Sequence, residues 1–286
     1  MAALNLKKSL VAGEYVMTAD DFGHIAATLK ERSGIVLSEG KIALAYSRLA
    51  KRLRLLGLSS FEDYCAIISS PDGADELQEM LAALTTNVTR FYREPHHFET
   101  LQLLFVRGLA QRARAGERIR LWSAGCSNGQ EPYSMGMAIL SAMPDAASFD
   151  IKILATDIDP NMIADGRRGA YRADLLAPAP DMLRQKYFQE TDDHRLMAKD
   201  SLAQLITFNV LNLMGPWPMK HKFDVIFCRN VAIYFDEQTQ ERLWSRFAQA
   251  TAAGACLCIG HSERVTGPGE RYFEAAGLTT YTRRAV

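Results

Sequence analysis

Gly125, Asp157, Asn212 and Arg229 each stand just past a run of apolar and branched residues that reads as a β-strand. Ligands of open α/β sheets bind outside the carboxyl ends of the strands, so four such ends in one chain point to one binding site. The first end is the most informative. Leu121 to Ser134 reads Leu-Trp-Ser-Ala-Gly-Cys-Ser-Asn-Gly-Gln-Glu-Pro-Tyr-Ser, a strand, a turn of small residues and a helix start in succession. The small residues let a ligand approach the backbone, and Pro132 suits the first turn of a helix that continues over Tyr133 to Met143. The turn lacks the Gly-Lys-Ser/Thr ending of a phosphate loop, and Gly125 with Gly129 does not complete a dinucleotide fingerprint. A tight βα connection without a ligand is the competing reading. Asp157, roughly 30 residues beyond that turn, stands where a carboxylate accepts hydrogen bonds from ribose hydroxyls. Asp159 reads instead as the N-cap of a helix that begins at Pro160.

A second group of candidates lies upstream. Thr85 to His97, Thr-Thr-Asn-Val-Thr-Arg-Phe-Tyr-Arg-Glu-Pro-His-His, packs hydroxyls, an amide, aromatics and two arginines into a connector. A purely structural linker needs no such set of donors, and Asn87, Thr89 and Arg93 are suited to line a site. No metal site is expected. His96 and His97 are adjacent and so point in different directions on a helix, with no cysteine or carboxylate cluster beside them. The five cysteines, Cys65, Cys126, Cys228, Cys256 and Cys258, are odd in number and have no Cys-x-x-Cys spacing. That argues against a disulfide framework or a zinc site and leaves small core residues in a reducing compartment.

The elements that must position these residues fall into successive regions. Residues 1–17 carry no strong period and read as a flexible leader. Residues 18–86 read as a small helical domain: Thr18 caps a helix stopped by Ser33-Gly34, a clearer one carries Ile42, Ala45, Tyr46, Leu49, Leu53 and Leu56 to Gly57, and two shorter ones follow Ser60 and Pro71-Asp72-Gly73. Beside the apolar stripe of the second helix, Lys41, Arg48, Lys51 and Arg52 occupy an arc of roughly 100°. They form either an ordinary solvated face or a docking surface for an acidic protein partner. Residues 87–117 are a connector and a linking helix, Pro95 to Ala113. From Arg118 the pattern is α/β, with strands at 118–123, 150–156, 205–210, 223–228, 255–261 and 281–284 and a helix at 237–252. Residues 171–203 interrupt it as an inserted antiparallel β-subdomain whose hairpin spans Tyr187 to Met197.

Lys plus Arg and Asp plus Glu number 33 each among 286 residues. The balance gives no support to general nucleic-acid or membrane-surface binding, and any electrostatic recognition must be local. No run of roughly 18 apolar residues exists, and the N-terminus lacks the apolar core and cleavage site of a signal peptide. A soluble, cytoplasmic monomer with no nucleic-acid partner and no membrane insertion is expected.

Four stretches in this order, Asn87-Val-Thr-Arg-Phe-Tyr-Arg-Glu94, Gly125 to Ser134, Ala155-Thr-Asp-Ile-Asp159 and Cys228-Arg-Asn-Val-Ala-Ile-Tyr-Phe-Asp236, resemble the chemotaxis receptor (CheR-type) glutamate O-methyltransferase family. The likeness runs over residues 18–284. It implies a small all-α domain followed by a Rossmann-like S-adenosylmethionine-dependent methyltransferase domain, residues 118–286. It also implies methyl transfer to glutamate side chains on the cytoplasmic helices of chemoreceptors, with S-adenosylhomocysteine as product. The family's cofactor positions fall on Asn87, Thr89, Arg93, Glu131, Asp157, Asn212, Leu213, Arg229 and Asn230, with Gly125 giving access and Glu131 pairing with the cofactor's ammonium. By the same resemblance Arg93, Arg229 and Tyr234 are the catalytic residues around the substrate carboxylate, and the cationic helix of Lys41, Arg48, Lys51 and Arg52 steers acidic receptor helices in. Two departures stand out. Ala232 replaces a methionine common in the family, a packing change. Gln189 to Lys199 contains no glycine, whereas members that grip a pentapeptide at receptor C-termini carry a glycine-rich loop there, so independence of that tether is expected. The rival readings are a non-catalytic cofactor-binding scaffold of a chemosensory array and a methyltransferase acting on another protein or a small molecule.

Overall fold

The computed structural model describes residues 9–285, and the chain divides into two compact units between Thr86 and Asn87. The first holds α1 (Ala19–Ser33), α2 (Ile42–Leu56), α3 (Phe61–Ser69) and α4 (Ala74–Leu84). Thr18 and Asp21 form a reciprocal capping box at the start of α1, and Gly34 ends it with φ 78°. Such a cap contributes about 1 kcal/mol. Ile25, Leu29, Leu49, Leu53, Phe61, Tyr64 and Met80 close the core. Of the expected leader, residues 1–8 lie outside the described residues. Residues 9–17 make defined contacts that the sequence did not signal: the Tyr15 N–H donates to Tyr46 Oη at 2.9 Å, and Met17 is wholly buried.

Two of the four residues expected on the basic face of the second helix are engaged within this unit. Arg48 donates to the carbonyl oxygens of Ala83, at 3.0 Å, and Thr85, at the C-terminal end of α4, where helical carbonyls lack partners. Arg52 grips Glu76 at 2.5 Å and Glu79 at 2.9 Å. Both arginines therefore serve the fold of this unit, whereas Lys51 is exposed and Lys41 half-buried.

The second unit opens with α5 (His96–Leu104) and α6 (Ala110–Arg114). The linking helix expected as one piece is split by a π-helical turn over Phe105–Leu109, where Gly108 leaves helical geometry. The chain then runs through β1 (Ile119–Ala124), α7 (Gln130–Ala142), β2 (Ile151–Asp157) and α8 (Pro160–Arg168). An insert follows: β3 (Ala170–Arg172), α9 (Ala173–Leu176), α10 (Asp181–Tyr187), β4 (Phe188–Glu190), β5 (Arg195–Ala198) and α11 (Asp200–Ala203). The main alternation resumes with β6 (Ile206–Val210), β7 (Phe223–Cys228), α12 (Glu237–Ala250), β8 (Thr251–Ile259), β9 (Phe273–Gly277) and β10 (Thr280–Arg283).

The main sheet has the order β6-β2-β1-β7-β8-β10-β9, parallel from β6 through β8, with β10 antiparallel to both neighbours. Its central strands are buried on both faces, as a sheet between helical layers requires: Ile119, Leu121, Trp122, Ser123 and Ala124 of β1 are all enclosed. The chain fills one side with β1, β2 and β6 before crossing to β7 and β8, so strand order reverses between β1 and β7. That reversal opens the crevice in which such sheets bind ligands.

β9 was not expected. Only Phe273 of it is buried, so Glu274 to Gly277 show none of the alternation that marks a half-buried strand. β8 begins at Thr251, four residues before the expected Ala255, in a Thr-Ala-Ala-Gly stretch with little strand character of its own. The insert contains the expected hairpin, β4 with β5, and adds β3 on its other side. It is fastened by aromatic contacts: Phe91 packs on Tyr171 at 5.0 Å and Phe188 at 6.0 Å, and Tyr133 on Tyr171 at 5.8 Å. Each such pair adds about 0.5–1.5 kcal/mol beyond area burial. Tyr171 Oη also donates to the carbonyl of Asn128 at 2.7 Å, tying the insert to the turn after β1. No helix among the described residues is long and apolar enough to cross a membrane.

Candidate functional site

The turn after β1 is built by backbone before any side chain reaches it. Gly125 has φ 81°, and a Cβ there would lie 2.4 Å from Val231 Cγ2 in the loop after β7. The close approach that requires glycine is thus to a neighbouring loop. The N–H groups of Gly125 and Cys126 both donate to the Thr156 carbonyl of β2. Ser127, at φ 50°, turns its N–H onto Asp157 Oδ2 at 2.8 Å, and the Asp159 N–H reaches Asp157 Oδ1 at 3.0 Å. Burial pushes the Asp157 carboxyl up from its ordinary range while these backbone donors pull it down. Ile158 adds a third backbone donor, and the roughly four lone-pair sites of a carboxylate leave room for a further donor such as a hydroxyl.

Asn87 closes one side. Its amide donates to Asp159 Oδ2 at 2.9 Å, and its carbonyl accepts from Ser127 Oγ at 2.8 Å. Asp159 also caps α8 through the N–H of Asn161, the role expected for it. Asn212, beyond β6, accepts the Met214 N–H at 2.9 Å, and Leu213 is buried beside it. Thr89 and Arg93 are half-buried, and Arg93 donates to the Val88 carbonyl at 3.1 Å.

Arg229, at the end of β7, does not present itself to solvent. Its side chain is 2% exposed and ion-pairs with Glu131 at 3.2 Å and Glu94 at 3.4 Å, while it donates to the Arg93 carbonyl and lies over the Phe98 ring at 5.5 Å. So enclosed, the guanidinium meets Glu131, Glu94 and the Arg93 carbonyl. Glu131 in turn accepts from Ser123 Oγ at 2.7 Å. Burial raises its pKa, opposed by the charge of Arg229. Burial works against ionised Glu94 too, but the His261 hydrogen bond and Arg229 outweigh it and hold that carboxyl below its usual value.

His96 and His97 do not point apart as expected. Their rings lie 4.1 Å apart, with the Nε2 atoms 3.4 and 2.9 Å from Thr279 Oγ1. With Glu94 they offer metal-ligand atoms within 4.8 Å of one another, but Arg229 against Glu94 opposes any cation there. Tyr234 is half-buried and falls in a short 3-10 turn, Ala232–Tyr234, while Asn230 is held at φ 60°. Tyr92, Glu94, Ser127 and Asn230, four of the six described non-glycine residues with positive φ, all lie in these loops. Backbone strain concentrated in this way is a mark of a functional site.

Sequence reasoning missed Glu94 as a member of the charge array, and Glu263, whose carboxylate holds the loop after β7. Its only sequence signal was a carboxylate just past the end of a strand.

The site fits S-adenosylmethionine. Two carboxylates, buried Glu131 and half-buried Glu94, face one guanidinium, leaving an excess negative charge suited to a ligand of net positive charge, and Asn230 Oδ1 is a buried acceptor without a partner. A doubly wound sheet with carboxylates gathered at its switch point is the architecture of the Rossmann-like S-adenosylmethionine-dependent methyltransferases. Residues 87–282 match the family model described as CheR methyltransferase, SAM binding domain, and residues 20–85 match the CheR methyltransferase all-alpha domain. The chain is 52% identical over 252 residues to a probable chemotaxis protein methyltransferase of Rhizobium etli, covering 87% of this chain and 94% of the relative. It is 37% identical over 264 residues to the chemotaxis protein methyltransferase of Escherichia coli, covering 91% and 89%, and 36% identical over 255 residues to that of Borreliella burgdorferi, covering 88% and 90%. The chain belongs to the CheR methyltransferase family.

Proposed function

We propose that this protein transfers the methyl group of S-adenosylmethionine to glutamate side chains on the cytoplasmic helices of chemoreceptors, giving glutamyl methyl esters, and does so without a receptor C-terminal pentapeptide tether. The observation that carries the reading is the near full-length likeness to a relative named as a chemotaxis protein methyltransferase, at 52% identity. The side chains are consistent with it. A glutamate carboxylate has a reference pKa of about 4.3, so at neutral pH it is already a nucleophile and needs no general base. When bound, S-adenosylmethionine supplies a methyl carbon activated by its sulfonium sulfur.

The work left to this chain is orientation, desolvation and charge complementarity. Asp157 receives the ribose hydroxyls, Glu131 and Asn230 the ammonium, and Asn87, Thr89, Asn212 and Leu213 line the remainder. Arg93 and the Tyr234 phenol approach the acceptor carboxylate, and Arg229 fixes Glu131 and the carbonyl of Arg93. Too tight a grip by Arg93 would stabilise the carboxylate before reaction and slow transfer, so a half-exposed arginine suits the task better than a buried clamp. Lys51, exposed on α2, serves as a steering charge. Tether independence is supported by the glycine-free hairpin, whose tip is closed by contacts of Thr191 with Asp193 and of His194 with Glu190.

Incubation with tritiated S-adenosylmethionine and receptor-containing membranes tests the proposal. Base-labile label is expected. Base-stable label would indicate N-methylation, and absence of label would favour a scaffold. Titration with a receptor C-terminal pentapeptide belongs to the same experiment, and micromolar binding would refute tether independence.

A further inference from the structure

Glu263 is 4% exposed, and what its carboxylate meets is backbone. Oε2 accepts from the N–H groups of Asn230 at 2.9 Å and Gly260 at 2.5 Å, and Oε1 from Val231 at 2.9 Å and Ile233 at 3.2 Å. Four main-chain donors from two loops, one after β7 and one after β8, converge on a single carboxylate. Successive N–H groups pointed inward form an anion-binding concavity, and here the protein supplies the anion itself. The fit leaves no slack: a Cβ at Gly260 would lie 2.5 Å from Asn230 Nδ2, 2.7 Å from Asn230 N and 2.8 Å from Glu263 Oε2. Asn230 lies in the left-handed region, which asparagine tolerates better than most non-glycine residues.

The loop so held carries much of the site. It begins at Arg229, passes the buried Oδ1 of Asn230 and ends at Tyr234. The groups that meet the cofactor and the acceptor are thus placed by a side chain that touches neither.

We propose that Glu263 is the positioning residue of this active site, its carboxylate setting the conformation of residues 229–234 and through it the placement of Asn230 and Tyr234. The proposal rests on the methyl-transfer reading above. A neutral amide cannot replace the carboxylate. Glu263→Gln would keep one acceptor oxygen and turn an N–H₂ group toward two N–H donors, so those donors go unpaired or the loop shifts.

Calorimetry with S-adenosylhomocysteine and steady-state methylation of receptor-containing membranes test it together. In Glu263→Gln, product affinity is expected to fall about tenfold or more. The kcat should fall as well, and by more than KM for the receptor changes, because within this loop only Tyr234 approaches the acceptor carboxylate. If Glu263→Gln fails to fold, Glu263→Asp carries the test: it keeps the charge, draws it back by one methylene and should show the same losses at smaller size. A variant that melts earlier yet binds S-adenosylhomocysteine and turns over within twofold of wild type overturns the proposal, since Glu263 would then be structural only. The calorimetric arm needs no methyl acceptor. Failure of the wild type to label receptors would therefore sink the proposed function while leaving the effect of Glu263 on product binding to be read.

Discussion

In the proposed reading Asp157 and Tyr234 meet different partners and should fail in different ways. Under that reading Asp157 would offer charged acceptors to a ribose diol, and hydrogen bonds to a charged group are worth about 1.5–3 kcal/mol. Asp157→Ala is therefore expected to weaken S-adenosylhomocysteine binding about 10- to 100-fold by calorimetry, and an unchanged affinity would count against the assignment. Tyr234→Phe removes a donor that matters only when an acceptor carboxylate is present. Product affinity should stay within about twofold while kcat drops about tenfold or more, and Arg93→Ala should behave alike. The position of Asp157 was legible in the sequence because a strand end fixes where a residue sits in an α/β sheet. The enclosure of Arg229 was not, since it depends on Glu94 and Glu131 arriving from segments far apart in the chain.

At the scale of the element, α2 sets an ion-paired arginine, Arg52, beside an exposed lysine, Lys51. Arg52 compensates Glu76, which is 8% exposed and also accepts from Tyr64 Oη at 2.9 Å. Arg52→Ala should destabilise the helical unit by about 1–3 kcal/mol in denaturant melts, because it strands that carboxylate. Lys51→Glu should leave the melt unchanged and raise receptor KM severalfold, about 3- to 10-fold, as reversal of an exposed steering charge does. Equal effects of the two changes on KM would undo this division. Period and charge told which residues share a face of α2. They could not tell which arginines find a partner on α4, because that needs the packing of one helix against another. The same limit hid β9, whose place is set by pairing with β10 and not by burial of alternate residues.

For the molecule as a whole, the acid limb of stability should carry the mark of His97. Burial, with Arg229 nearby, pulls this imidazole down to about 3, against about 6.5 in an unfolded chain. Between those values the unfolded chain binds a proton that the folded one does not, so stability is full above about pH 6.5 and falls as pH drops through the window, by up to about 1.4 kcal/mol per pH unit. Melting curves of wild type and His97→Gln should converge as pH falls from about 6.5 toward 4.5, and parallel curves would show that His97 is not held neutral. A second whole-molecule consequence follows from the strand order. β1 pairs with β7 through Leu121 and Val225, so one edge of the central strand stays bare until most of the second unit has been synthesised. The helical unit, with its local contacts, can close early and fast; the sheet must wait for a distant partner, and rates fall as such separations grow. On the ribosome the apolar edge of β1 is the surface that a chaperone would have to shield.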